Sequence, residues 1–161
     1  MTEAMKRGVQ PIPKGFHTLT PYLVVEGIPK LIDFLKQAFG AQETFRLTRP
    51  DGGVMHAELK IGDSILMMGT PMGEGKAKPC SLYLYVEDVD AVYQRAIQAG
   101  GTSVGEPKDQ FYGDRTGGVI DPCGNYWGIG THIEDVSHEE MGKRFAAMAG
   151  KHSPNRGAGG A

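Results

Sequence analysis

The sequence predicts an α+β protein made of two tandem βαβββ modules that together form a cup-shaped sheet. Three observations carry this expectation. A long segment repeats without gaps at a spacing of about 60 residues, and a period of that size marks a repeated structural unit. Each copy opens on a short, β-rich stretch that runs into an amphipathic helical pattern. Each then continues into three more alternating stretches divided by turn residues.

The elements follow in order. Tyr22-Leu23-Val24-Val25-Glu26 and its counterpart Tyr83-Leu84-Tyr85-Val86-Glu87 read as strands. After the first, Ile28, Leu31, Ile32, Leu35 and Phe39 recur with the 3.6-residue period and stop at Gly40, a residue suited to the left-handed helix end. Stretches 43–48, 54–61 and 64–69 alternate as strands do, separated by Pro50-Asp51-Gly52-Gly53 and Gly62-Asp63, which is hairpin chemistry. In the second copy Val89, Val92, Ala96 and Ile97 mark the helix, with Asp88 and Asp90 as capping oxygens and Gly100-Gly101 at its end. Stretches 103–106, 116–120 and 126–131 complete it, the last two joined by Asp121-Pro122-Cys123-Gly124-Asn125.

This divides the chain into a flexible segment over 1–15 and one domain over 16–133. The first module spans about 18–70 and the second about 80–133. Ser137-x-x-Glu140 is a capping box opening a C-terminal helix over 137–150, and the Pro/Gly/Ala-rich residues 151–161 read as a disordered tail. Each helix covers only one face of its sheet, so the halves are expected to pack together and leave a cup between them.

Composition narrows the partners. A formal net charge of −2 with both signs interspersed offers no basic face to nucleic acid or anionic lipid. Apolar runs such as 22–25 and 64–68 are far too short to span a bilayer. A soluble, cytoplasmic protein is expected, with a small-molecule ligand as its partner. Cys80 and Cys123 fall in no Cys-x-x-Cys spacing and read as reduced, buried thiols.

Four motifs carry a resemblance. They are Thr20-Pro21-Tyr22-Leu23-Val24-Val25, Asp33-Phe34-Leu35-Lys36-Gln37-Ala38-Phe39-Gly40, His56-Ala57-Glu58-Leu59-Lys60-Ile61-Gly62-Asp63 and Asp121-Pro122-Cys123-Gly124-Asn125-Tyr126-Trp127. Over residues 19–133 the chain resembles the vicinal oxygen chelate superfamily, and within it the PhnB-like glyoxalase/bleomycin-resistance/dioxygenase proteins. That resemblance implies the paired βαβββ fold of the glyoxalase/bleomycin-resistance/dihydroxybiphenyl-dioxygenase type and a homodimer. In the family's enzymes it also implies one divalent metal, held by His or Glu from the first and last strands of each module, which polarises vicinal substrate oxygens. Carried across, the four ligand positions are Thr20, Met67, Ser81 and Gly128, none of them His, Asp or Glu. The neighbours Pro21, Leu66, Met68, Cys80, Leu82, Trp127 and Ile129 add one thiol at most. No glyoxalase-type metal and no cofactor is therefore expected.

Strand parity assigns the lining, because alternate residues share a face. The family's ligand positions point into the cup. The rule turns Thr20, Tyr22 and Val24 inward, with Ser81, Tyr83 and Tyr85 and with Tyr126, Gly128, Gly130 and His132. On the third strand it sets Met55, Ala57, Leu59 and Ile61 on the apolar face and leaves His56, Glu58 and Lys60 toward the cup. The glycines would leave room where the enzymes carry a ligand. Candidate ligand-binding residues are thus Tyr22, His56, Glu58, Met67, Tyr83, Tyr85, Arg115 and Tyr126. His56 and Glu58 can act as an acid/base pair or a displaced metal site, or simply as a hydrogen-bonded pair at the rim. The tyrosines can stack a planar ligand or merely fill space. Arg115, in the loop-like stretch after Gly113, can clamp an anion or pin the loop through a salt bridge.

These residues favour a small-molecule-binding protein with a cup-shaped, metal-free pocket, of the sequestration or resistance type. The alternative is a lyase/isomerase or dioxygenase of the superfamily working through a nonstandard divalent metal or acid/base site at His56 and Glu58. A third reading keeps only dimerisation or regulation of a partner.

Overall fold

The computed structural model describes residues 3–151. In the first module β1 (Tyr22–Val24) leads into α2 (Ile28–Phe39); among the described residues before β1 there is one helical turn, α1 (Glu3–Lys6). Pro29 is tolerated at the first turn of α2, where backbone N–H groups lack partners anyway. Ile28, Leu31, Ile32, Phe34, Leu35 and Ala38 form its buried stripe. Gly40 closes the helix with φ 65° and donates to the Lys36 carbonyl at 3.2 Å. The hairpins β2 (Gln42–Thr48), β3 (Val54–Ile61) and β4 (Ser64–Gly69) follow, and the sheet order is β1-β4-β3-β2. β1 pairs parallel to β4, which the helical crossover allows, and the other pairs are antiparallel.

The second module repeats the plan with β5 (Ser81–Tyr85), α3 (Val89–Gln98), β6 (Thr102–Asp109), β7 (Asp114–Ile120) and β8 (Tyr126–His132), in the order β5-β8-β7-β6. Asp88 caps α3 by accepting from the Ala91 N–H at 3.0 Å. The Asp121 carboxylate ties the turn between β7 and β8. It accepts from the backbone of Cys123 and Asn125, from the Asn125 amide and from the Trp127 indole, all within 2.8–3.0 Å.

The fold matches expectation, but the modules meet differently from the way the sequence suggested. They join through their helices. α2 lies against α3, the Phe39 ring sits 4.9 Å from Trp127, and Arg95 reaches across to the Ala38 carbonyl. One apolar core results, shared by both modules. A helix with six buried positions presents more apolar surface than one sheet face covers, and the second helix takes the remainder. The opposite sheet faces, which were to enclose the cup, stay open: Tyr22 is 51% exposed and Tyr85 64%.

Three local expectations are also corrected. Met55 does not join the apolar face. The pairing slips between Leu47–His56 and Thr48–Val54, so a β-bulge turns Met55 outward and buries Val54 in its place. The strands of the second copy run longer than predicted, and Asp114 and Arg115 begin β7 rather than lying in a loop. The Gln110 N–H to Asp114 carbonyl bond at 2.7 Å, with Gly113 at φ 94°, draws the chain into the hairpin one turn earlier. The capping box before α4 (His138–Lys151) forms only by half. Ser137 accepts from the Glu140 N–H, while the Glu140 carboxylate goes to Arg144. Arg144 also binds Glu134 and the Phe111 carbonyl, fastening α4 to the tip of the β6–β7 hairpin. Lys151 ends α4; the rest of the predicted tail, 152–161, lies outside the described residues. Among the described residues no helix is long and apolar enough to cross a membrane.

Candidate functional site

Register builds the open faces row by row. In the first sheet the paired residues Tyr22, Met67, Glu58 and Phe45 form one row, and Val24, Gly69, His56 and Leu47 the next. Four of the predicted site residues, Tyr22, His56, Glu58 and Met67, are therefore brought together. The His56 Nε2 lies 3.5 Å from Glu58 Oε1, with both side chains about three-quarters buried. The Tyr22 ring leans over His56 at 5.8 Å between centroids, and its hydroxyl occupies the space where Gly69 lacks a Cβ.

In the second sheet the corresponding row is Tyr83, Gly128, Gly118 and Gly105, and the next is Tyr85, Gly130, Thr116 and Lys108. Gly128, Gly118 and Gly130 do not leave an empty space. A Cβ on Gly128 would fall 2.8 Å from the Tyr83 ring, one on Gly118 2.8 Å from the Tyr126 hydroxyl, and one on Gly130 would strike the Tyr83 hydroxyl. The tyrosines lie flat on a glycine floor. Beside them remains a shallow hollow of about 310 Å³, with Val104, Lys108, Tyr112 and Thr116 in its wall.

The organising group on this face is Asp114, which the sequence reading treated only as the neighbour of Arg115. It is 4% exposed. Its Oδ2 accepts from the Tyr85 hydroxyl at 2.9 Å and from the Tyr83 hydroxyl at 3.3 Å. Its Oδ1 faces His132 Nδ1 at 2.8 Å, and the far nitrogen of that ring meets Asp135 at 3.0 Å. Burial alone would raise the Asp114 pKa, but the bonds from His132, Tyr85 and Tyr83 outweigh it and hold the carboxyl below its ordinary range. Desolvation and the Asp114 charge push the Tyr83 hydroxyl up, and its bond to Asp114 does the same for Tyr85. Both tyrosines are thus proton donors at neutral pH. Asp135 and Asp114 raise the His132 pKa, favouring the imidazolium that can donate at both nitrogens.

Arg115 is not brought to this face. It pairs with Thr131, a register position on the helix side. Its guanidinium grips Asp90 at 2.7 and 2.8 Å and Asp109 at 2.9 Å. It ties β7 to α3 and β6, the structural role that the sequence had left open beside anion binding. His132, named from parity, is present at the rim. Asp114 could have been found only by knowing that β7 starts with it and pairs there with His132.

The four positions that the family would use for a metal carry Thr20, whose hydroxyl donates to the His17 carbonyl at 2.8 Å, the Met67 thioether, the exposed Ser81, and Gly128 under the Tyr83 ring. This set does not fit a divalent cation, which requires imidazole or carboxylate ligands in number.

Comparison with known proteins agrees with this architecture. The uncharacterized protein Mb0911c of Mycobacterium bovis is 38% identical over 135 residues, covering 76% of this chain and 88% of its own. Rv0887c of Mycobacterium tuberculosis shows the same identity over 79% of its length. Among solved structures, TioX from Micromonospora sp. ML1 superposes with a TM-score of 0.63 at 25% identity, over 73% of this chain and 99% of its own. A PhnB protein from Bacillus cereus, 18% identical with a TM-score of 0.58 over 71% and 99% of the two chains, shares the fold. Residues 15–129 match a single family description, and the chain belongs to the Glyoxalase/Bleomycin resistance protein/Dioxygenase superfamily.

Proposed function

We propose that this chain binds a small, partly planar molecule against its tyrosine-bearing sheet faces without a metal. The observation that carries the reading is that a nearly buried carboxylate, Asp114, holds the hydroxyls of two half-exposed tyrosines. Burying an ionised carboxylate destabilises a fold unless it is fully hydrogen-bonded. The two rings rest against each other at 4.9 Å between centroids and still stay largely open to solvent. A fixed aromatic platform open to solvent is what a flat ligand stacks on. The metal-free reading rests on the chemistry of Thr20, Met67, Ser81 and Gly128.

Two copies complete the cup. The helices hold the modules of one chain with both apolar faces open, Phe45 and Leu47 on one and Tyr83 and Val104 on the other, and uncovered patches of this kind are docking surfaces. Because the modules repeat one plan, a two-fold pair sets module one of each chain over module two of its partner and closes two equivalent cups. A reducing cytoplasm suits the free thiols Cys80 and Cys123.

Titration with the aromatic fluorophore 8-anilinonaphthalene-1-sulfonate tests the platform. Replacing Tyr83 or Tyr85 by Ala is expected to weaken binding about fivefold to tenfold, the worth of one stacked ring. Unchanged affinity in both variants overturns the reading. A second reading, acid/base or metal chemistry in the first module, is favoured by the largely buried His56–Glu58 pair under Tyr22. Elemental analysis after dialysis against Ni²⁺, Zn²⁺, Mn²⁺ and Fe²⁺ separates the two. Stoichiometric metal that His56→Ala abolishes would put the second reading first.

A further inference from the structure

We propose that the ligand of the second module is an aromatic monocarboxylate whose acid group is held by Lys108. The proposal rests on the reading that the tyrosine face is a ligand platform, and adds the chemical class that the platform takes.

An irregularity in β6 brings the charge to this face. Tyr83, Gly128, Gly118 and Gly105 pair as one row, and Tyr85, Gly130, Thr116 and Lys108 as the next. From row to row β5, β8 and β7 each advance two residues, which keeps their side chains on one face. β6 advances three, with its pairing shifted between Gly105 and Lys108. The extra residue is a β-bulge. It sends Lys108 to the open face, where ordinary alternation would have sent Pro107. Pro107 packs instead against Gly117, where a Cβ would fall 3.1 Å from the proline ring, and Gly117 pairs with the buried Ile129.

The hollow that Lys108 borders offers donors around that ammonium. Its volume of about 310 Å³ is at the lower end for small-molecule sites, about 300–1,000 Å³, and suits one flat ring system. Thr116 stands opposite Lys108 in register, and its hydroxyl is 3.4 Å from that of Tyr112. A contact so long leaves both hydroxyls able to bond another acceptor. A carboxylate has two oxygens, one for the ammonium and one for the hydroxyls. Conjugated to a ring it stays in the ring plane, so a shallow hollow admits both. Protein carboxylates leave Lys108 available. Asp109, its neighbour in the chain, is gripped by Arg115 at 2.9 Å, and Asp114 is engaged by Tyr83, Tyr85 and His132. Glu106 lines the same hollow and repels a second acid group on the ligand.

Isothermal titration of the full chain with 2-naphthoate and with its neutral counterpart 2-naphthamide tests the assignment. The acid should bind about tenfold more tightly, the worth of a hydrogen bond to a charged group. Lys108 and Glu106 are both exposed, and their variants are expected to melt like the parent. Lys108→Gln should erase the preference for the acid, and Lys108→Arg should recover most of it. Naphthalene-2,6-dicarboxylate should bind more weakly than the monoacid, with Glu106→Gln closing that gap. An acid that binds no better than the amide, or a preference that survives Lys108→Gln, overturns the anionic assignment while leaving the platform standing. A dicarboxylate that binds as tightly as the monoacid overturns the restriction to one acid group. If neither probe binds, or if Tyr83→Ala leaves the binding of both unchanged, the platform falls and this inference falls with it.

Discussion

The two sheets share one backbone plan and carry different chemistry on it. Across the first, side chains rise from the floor: Met67, Glu58 and Phe45 stand beside Tyr22. Across the second, the same positions are Gly128, Gly118 and Gly105, and the Tyr83 ring lies over the first of them. The first face has a histidine–carboxylate pair at 3.5 Å whose imidazole rests only against the Tyr22 and Phe45 rings among the described residues. The second has a carboxylate engaged on three sides. Duplication thus supplies the scaffold twice, while the side chains that project from it set one face as a mixed polar and apolar surface and the other as a fixed aromatic one. If that contrast is right, the second face should be far more sensitive to loss of a polar group than the first.

The largest effect is expected at Asp114. Asp114→Ala removes the acceptor of two hydroxyls and an imidazole in a site that excludes most water, and should lower stability by about 3 kcal/mol in urea unfolding. Intrinsic tyrosine fluorescence should change as Tyr83 and Tyr85 lose their fixed geometry. A loss below about 1 kcal/mol would mean that the carboxylate is ordinary surface and that the contrast is false. The next effect is smaller and comparative. Tyr85→Phe forfeits a hydrogen bond to a charged acceptor, about 1.5 kcal/mol. Tyr22→Phe, on the first face, should cost almost nothing, since no protein hydrogen bond to its hydroxyl is present among the described residues. Equal losses would erase the difference between the faces.

How much of this the sequence held can be judged from particular residues. The strands and helices were legible because their signals are local: the Ile28 to Phe39 stripe, Gly40 at the helix end and Gly62-Asp63 in the hairpin each act within a few residues. The cluster of Tyr22, His56, Glu58 and Met67 was legible too, since it follows from parity on strands whose register the turns determine. Asp114 was not. Its place depends on which residue opens β7 and what β8 sets opposite it, a pairing 18 residues away in the chain. The same one-turn difference carried Arg115 to the helix side. The meeting of the modules through α2 and α3 was hidden for another reason: periodicity tells which stripe of a helix is buried, but not what buries it.

The pH dependence of stability sharpens the comparison further. His132 has its pKa raised by Asp135 and Asp114. Its contribution is therefore complete below the unfolded value of about 6.5 and is lost as pH rises through the folded value. Asp114 is lowered, so its contribution is present above about 3.9 and is lost as pH falls through the folded value. Urea unfolding from pH 5.5 to 9 should show a modest decline on the alkaline side that His132→Asn removes. A decline that persists in the variant would assign the titration elsewhere.

The smallest effect should come from the pair that looked most catalytic in the sequence. His56 and Glu58 sit 3.5 Å apart, longer than a good hydrogen bond, and a contact of that length contributes under about 1 kcal/mol. His56→Ala should accordingly lower stability much less than Asp114→Ala, its main loss being the ring against which Tyr22 and Phe45 rest at 5.8 and 6.2 Å. If the loss instead approaches that of Asp114→Ala, the first face is as tightly organised as the second. The reason for placing the ligand platform on module two would then be gone, and the acid/base reading of module one would gain the support that stability data can give it.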